Sequence, residues 1–417
     1  MKPFLTLLTT EEAWSQLAAV EPLASETISA RAALGRVLAE PLTAREDVPH
    51  FFRSNMDGFA VRAADTAGAS EESSVALHVI GEVAMGEQAM QPLAAGAAIR
   101  VSTGAMMPPG ADAVVIVEHT EERGETLLVR HSVSAGASTI AIAEDLRAGE
   151  VVLEAGHRVR GCDVGVITGV GRAEIRVHRI ARVGVAATGD EIVEPEDELP
   201  PGRVRNVNQY LLGSMARALG ASVVDYGVVR DNEAALDRLF ERARDQCDVL
   251  LLSGGSSKGS KDLVLASILR VPRARLRFHG IAIAPGKPTM FAEAGGLSVL
   301  GVPGNPSAAA VVFQLFGSVL IRVREGERLA RILATRPRLR ARLAHDLTST
   351  PGREDWVRVR LAAAESDASD GFALPLATAL RGKSVTISTI ARADGLLRIA
   401  RSSEGLAAGS EVEVLLF

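Results

Sequence analysis

Aromatic side chains make up only 4% of this 417-residue chain. Proteins that grip single-stranded nucleic acid by base stacking need exposed rings, so that class is disfavoured. Cysteine is nearly absent, with Cys162 and Cys247 far apart. Two such residues build neither a disulfide framework nor a thiolate zinc site, and a reducing, cytoplasmic location is expected. No charge of one sign dominates. The formal net charge is −5, which gives no general attraction to nucleic acid or to an anionic membrane. No run approaches the ~20 uninterrupted apolar residues of a membrane span. The opening MKPFLTLLTTEEAW is short of apolar length and acidic near its start, so no signal peptide is expected there. The eight histidines show no HExxH or other metal spacing.

What remains is a globular composition, 47% apolar and 23% charged. The length predicts about two to four domains. Residues 11–20 and 27–39 have helix-like apolar spacing, with Gly35 interrupting the second. From 48 to 135 the chain changes to short alternating runs between Gly and Pro turns, a β-rich module. Residues 136–177 are again of the mixed kind seen in 1–47, so these two segments are expected to form one split domain around an insert at 48–135. Residues 178–327 alternate strand and helix, which predicts a mostly parallel sheet covered on both faces. Residues 328–417 are β again. There Arg336, Arg338, Arg340 and Arg342 alternate, as on the wet face of an edge strand.

Ligands of open parallel sheets bind beyond the carboxyl ends of the strands. Three strand ends are chemically unusual: Thr188-Gly189-Asp190-Glu191, Ser253-Gly254-Gly255-Ser256-Ser257, and Pro303-Gly304-Asn305-Pro306. Glycines let the backbone approach a ligand and build an anion nest; the serines add hydroxyl donors. The natural guest is a phosphate or similar oxyanion. A nucleotide P-loop is excluded, because Ser260 stands where that motif requires lysine. An ordinary tight turn remains the competing reading of the glycine–serine loop.

Asp190, Glu191 and Asp262 sit at these ends, and Asp57 and Asp145 in polar loops elsewhere. Carboxylates gathered at a phosphate site commonly share magnesium. Asp262 is equally readable as a helix cap, and Glu191 as part of a solvated acidic loop over 191–198. Lys287 lies in the rigid turn Ala284-Pro285-Gly286-Lys287-Pro288.

Together the segments SNMDGFAV, RVSTGAMMPPGADAVVIVE, EDLRAG, ATGDEIV, LSGGSSKGSKD, PGKP and VPGNPSAA, in this order, resemble the molybdopterin molybdenumtransferases. This is the MoeA type, also found as the E domain of gephyrin. The resemblance spans nearly the whole chain. It implies a multidomain α/β protein: a split mixed N-terminal domain, a β-rich insert, a three-layer α/β molybdopterin-binding domain of MogA-like form, and a C-terminal β-barrel. It also implies a homodimer whose cleft joins the α/β and tail domains of one subunit to the insert of the other.

The implied reaction is magnesium-dependent insertion of molybdate into adenylylated molybdopterin, with release of AMP. On this resemblance Ser253, Gly254, Gly255 and Ser256 cradle phosphate beside Thr188 and Gly189. Asp190, Glu191 and Asp262 organise metal and water, and Asp57 and Asp145 complete the site. Lys287 meets an oxyanion, Pro303 and Pro306 shape a molybdate pocket, and Thr103 and Ser384 line the cleft. Contacts with the molybdopterin adenylyltransferase and with cofactor-accepting enzymes are implied as well.

Two departures remove positive charge. Ala284 replaces the first lysine of KPGKP, and residues 139–143 (TIAIA) replace a segment that often carries arginine. Arg100 and Lys258 are the candidates to compensate. Two other readings therefore stand beside the transferase: a paralogue that binds, stores or delivers the cofactor, and a phosphotransferase or hydrolase using the same nest.

Overall fold

The computed structural model describes residues 7–254, 260–363, 374–380 and 386–417, leaving the side chains of Ser260, Lys261 and Asp262 outside. A six-stranded sheet fills the middle of the chain. Its order is Ser222–Val229, Arg182–Thr188, Val249–Gly254, Leu297–Val302, Met290–Ala294, Arg275–His279. The first four strands run parallel; Met290–Ala294 runs antiparallel to them, and Arg275–His279 antiparallel to Met290–Ala294. Alternate residues of a strand face opposite sides, and here each side has its own core. Val249 and Leu251 join Val183, Leu212 and Phe313 on one face; Leu250 and Leu252 join Leu236, Phe240 and Ile268 on the other. The helix Glu233–Gln246 starts where Asn232 accepts a hydrogen bond from the Ala235 amide, the usual capping geometry.

The apolar helix Pro306–Arg324 is long enough to cross a membrane, yet 78% of its most apolar window is buried inside the chain. Proline at its first turn suits the helix start. At Phe313–Gly317 the helix widens to a π turn, which frees carbonyls from the regular ladder. The Leu315 carbonyl then accepts from Trp14 Nε1 at 2.8 Å and from Arg336 Nη2 at 3.0 Å.

A second six-stranded sheet spans Gly58 to Val129, with Gly58–Val61 clamped between Ala113–Ile116 and Ala97–Val101. The segments on either side of it pair with each other: Ser25–Ser29 with Glu174–His178, and Leu42–Thr43 with Val151–Leu153. This flanking unit docks on the α/β layer through charge. Arg158 donates to Glu325 at 2.7 Å and Glu327 at 3.0 Å. Arg331 lies 2.8 Å from His157 Nδ1, and His157 Nε2 lies 2.6 Å from Asp163. A guanidinium only donates, so the imidazole accepts at Nδ1 and donates from Nε2.

The tail is a five-stranded barrel. Glu354–Ala362 pairs with both Leu376–Ala379 and Gly395–Ile399, which closes the ring. Ile283–Ala284, from the α/β unit, adds in parallel to Glu354–Asp355.

Two expectations are corrected. Residues 27–39 are not a helix but the strand Ser25–Ser29, a 3₁₀ turn Ala30–Ala32 and the strand Val37–Leu38. Gly35 turns the chain with φ +76°, and pairing with Glu174–His178 outweighs the local pattern. Arg338, Arg340 and Arg342 do form a wet face, but not on an edge strand. Arg338–Leu343 lies between two strands, with Arg338 and Arg340 paired to Glu413 and Glu411. Arg336 is buried, and burial lowers its guanidinium to about 10.

Candidate functional site

The parallel register brings three of the singled-out strand ends together. Thr188 stands opposite Gly254, and Ser253 opposite Val302. Gly254 has φ +114°, and a Cβ there would lie 2.1 Å from the Thr188 carbonyl oxygen. Only glycine allows this approach. Ser253 Oγ accepts from Asn208 Nδ2 at 2.6 Å, and the same amide donates to the Gly304 carbonyl at 2.7 Å. Pro303 is buried and Pro306 opens the following helix.

The acids lie beside this row. A Cβ on Gly189 would meet the Glu191 carboxylate at 2.8 Å, so the glycine makes room for that acid. The 191–198 stretch is pinned rather than simply solvated: Asn206 Nδ2 donates to Glu194 Oε1 at 3.1 Å, and Arg205 to the Glu194 carbonyl at 2.7 Å. Asp231 follows the neighbouring strand. Burial foremost, then the charge of Asp190 and more weakly of Glu191, raises the Asp231 carboxyl above its ordinary 3.8; the nearby Thr188 hydroxyl pulls it partly back.

Asn206 Oδ1 and Asn208 Oδ1 are buried here without a hydrogen-bond partner, and Thr188 Oγ1 and Asp231 Oδ1 have none besides the weak Thr188–Asp231 contact. Each such group costs about 1–3 kcal/mol in an interior, so their concentration at one sheet edge marks a place tuned for binding rather than for stability. Asn206, Asn208 and Asp231 are absent from the residues that sequence patterns single out. The Asn-x-Asn spacing before a helix is the available signal for the first two; Asp231 reads only as a helix start.

Oxygen-only donors of this kind are the chemistry a hard divalent ion takes. Asp190, Glu191 and Asp231 interact electrostatically, but the described residues hold no preassembled group of three His, Cys, Asp or Glu ligands. Magnesium suits such a loose set, since it keeps several waters and takes one or two carboxylates. The side chain of Asp262, and Gly255, Ser256, Lys258 and Ser384, lie outside the described residues.

Asp231→Asn is expected to stabilise the ligand-free protein modestly at neutral pH, because it removes a charge crowded by Asp190 and Glu191. A raised carboxyl favours the fold below its unfolded pKa and loses that contribution as pH rises through the folded value. The gain should therefore shrink toward zero below pH ~4. Urea unfolding at acidic and neutral pH measures it; equal stability of the two proteins at neutral pH would contradict the raised carboxyl.

Asp57 and Thr103 meet elsewhere. Asp57 Oδ1 accepts from the Thr103 amide at 2.6 Å and its hydroxyl at 3.0 Å. These bonds, the backbone one first, hold the exposed carboxyl below its usual range. Asp145 is exposed in the loop pinned by its own amide, which donates to the Val48 carbonyl at 3.0 Å. Arg100 is not a free compensating cation: it pairs with Glu122 and lies over the Phe59 ring. Arg53 stands opposite Ile140 with its buried Nε unpartnered.

An open cleft of about 520 Å³ borders the strand ends, walled by Ala284 to Pro288, Pro303 to Asn305 and Pro351 to Arg353. Its cations are Lys287, which is exposed, and Arg353, which no sequence motif marks. Arg353 Nε donates to Asp355 at 2.9 Å. Of the three strand ends only Pro303 to Asn305 line it; Thr188 to Glu191, Ser253, Asp57, Thr103 and Asp145 do not.

The chain is 32% identical over 387 residues to a molybdopterin molybdenumtransferase of Staphylococcus epidermidis, covering 92% of this chain and 89% of the relative. The chain belongs to the MoeA family. A similar relative from Staphylococcus aureus is 30% identical over 394 residues, covering 94% and 90% of the two chains. Family profiles match in succession: the MoeA N-terminal region (domain I and II) at 8–171, a probable molybdopterin binding domain at 184–322, and the MoeA C-terminal region (domain IV) at 340–417. The MoeA protein of Pyrococcus horikoshii OT3 superposes with TM-score 0.82 at 29% identity, covering 99% of this chain and all of that one. The strand-end row and the acids Asp190 and Glu191 thus fall within the match to the probable molybdopterin binding domain, and Asp57 and Thr103 within the match to the MoeA N-terminal region.

Proposed function

We propose that this MoeA-family chain inserts molybdate into adenylylated molybdopterin with magnesium, releasing AMP. The observation that carries this reading is the cluster of poorly partnered buried oxygens at the strand ends, beside Asp190, Glu191 and a cleft holding Lys287 and the Asp355-paired Arg353. Ser253 and Gly254 begin the phosphate cradle that Gly255 and Ser256 continue, with Thr188 and Gly189 at its side. Asp190, Glu191, Asp231 and Asp262 hold magnesium, which when bound neutralises phosphate charge. Lys287 and Arg353 face the oxyanion, and Pro303, Pro306 and Ser384 bound its pocket. Asp57, Thr103 and Asp145 complete the site from the second subunit of a homodimer. Names of relatives such as the Staphylococcus epidermidis transferase support the activity.

The test is direct. Purified protein is given adenylylated molybdopterin, molybdate and magnesium, and both AMP and pterin-bound metal are followed. Metal in the pterin supports the transferase. Tight substrate binding without AMP release supports instead a storage or delivery protein, the reading favoured by one observation: the cleft wall at Ala284 carries no charge. AMP release without metal insertion supports a hydrolase.

Ala284→Lys gauges that wall. A close charge–oxyanion contact contributes roughly 1.5–3 kcal/mol, so molybdate affinity should rise about tenfold or more. Unchanged affinity in a molybdate titration means that Arg353 already fills this role.

A further inference from the structure

We infer that Asn208 is a positioning residue, which sets the separation between the Ser253 strand end and the Pro303–Gly304 turn and so between the two reactants. The inference rests on the transferase reading. Asn208 is the first residue of the helix Asn208–Ala218 and only 7% exposed. Its one amide nitrogen donates to Ser253 Oγ at 2.6 Å and to the Gly304 carbonyl at 2.7 Å. The Gly304 carbonyl only accepts, so the orientation of the amide is fixed and both of its protons are used. The pairing of the two strands ends at Ser253 and Val302. Beyond that last rung, Asn208 ties the two departing segments directly. Its own base is stiff, since Asn206 donates to Gln209 Oε1 at 2.8 Å within the same turn.

Each segment holds a different reactant in the proposed reaction, the phosphate end on Ser253 and the oxyanion on Pro303–Gly304. A displacement of about 1 Å between reacting groups costs on the order of a hundredfold in rate. Loss of the tie therefore leaves each reactant bound but misplaced. Asn208→Asp keeps the size of the side chain and removes both donors. We expect its Michaelis constants to stay within about threefold while metal insertion falls roughly a hundredfold. We also expect AMP to be released in excess of metal inserted, whereas the wild type gives one for one. Asn208→Ala should behave alike, and Ser253→Ala, which removes one arm, should uncouple less.

A merely structural role would lower AMP release and insertion in step, and that result, or unchanged coupling, overturns the proposal. If the wild type itself shows no turnover, the transferase reading fails, and the tie is read by amide hydrogen exchange. Asn208→Asp then speeds exchange at 249–254 and at 302–307 together; faster exchange in one segment alone, or in neither, overturns it.

Discussion

Gly254→Ala is expected to destabilise the α/β unit by about 3 kcal/mol or more and to abolish turnover. A non-glycine residue in this backbone region costs about 1–3 kcal/mol. The added methyl meets a second obstacle. It would sit 2.1 Å from the Thr188 carbonyl oxygen and 2.6 Å from Thr188 Oγ1. The carbonyl is backbone of the neighbouring strand and cannot swing aside, so the strands must part; forced overpacking of this kind costs a further ~1–3 kcal/mol. Net stabilities of domains are only about 5–15 kcal/mol. Trp14 and Trp356, both packed in the core cluster on one face of the same sheet, report unfolding by fluorescence in urea. Gly220→Ala is the control. Its φ is +89°, but nothing lies within 4 Å of its added methyl, so about 1 kcal/mol is expected. Equal losses at the two positions would show that the close approach of Gly254 to Thr188 does not exist.

The same two strands show how far the sequence speaks. RVGVAATG and DVLLLSGG each hold an apolar run that ends at a glycine turn, and such runs predict strands buried on both faces. The three strand ends, and the acids beside them, are therefore legible as one edge of one sheet. Asn208 is not. Its importance comes from reaching two segments 45 and 96 positions further along the chain, and no local pattern announces such a reach. Asp231 is hidden differently: at a helix start an acid has an adequate local explanation, and its proximity to Asp190 and Glu191 exists only after folding. Arg336 shows a third failure. Alternation assigns it to a wet face, but the π turn at Phe313–Gly317 exposes a carbonyl that draws the guanidinium inward. Long-range hydrogen bonds and charge contacts, rather than periodicity, decide all three.

Mixed dimers are expected to restore activity that neither parent variant has. Asp57 and Glu191 belong to different units of the chain, the first in the N-terminal region and the second in the α/β unit. If one subunit supplies Glu191 and its partner Asp57, a dimer of Asp57→Ala with Glu191→Gln has one site with both defects and one with none. Each homodimer alone should lose on the order of a hundredfold or more in rate, as for removal of a group that acts at the reacting centre. Random pairing makes half the dimers mixed, and half of their sites are intact, so roughly a quarter of wild-type activity returns in a two-fold symmetric assembly. Co-expression with two different tags and tandem purification isolates the mixed species, for which about half of wild-type activity is expected. A site built within one subunit gives no such recovery. The mixed species would then stay as inactive as its parents, and Asp57 would have to act, if at all, on its own chain. Thr103→Ala in place of Asp57→Ala should complement in the same direction, because Thr103 holds the Asp57 carboxylate through two hydrogen bonds and must come from the same subunit as the acid it orients.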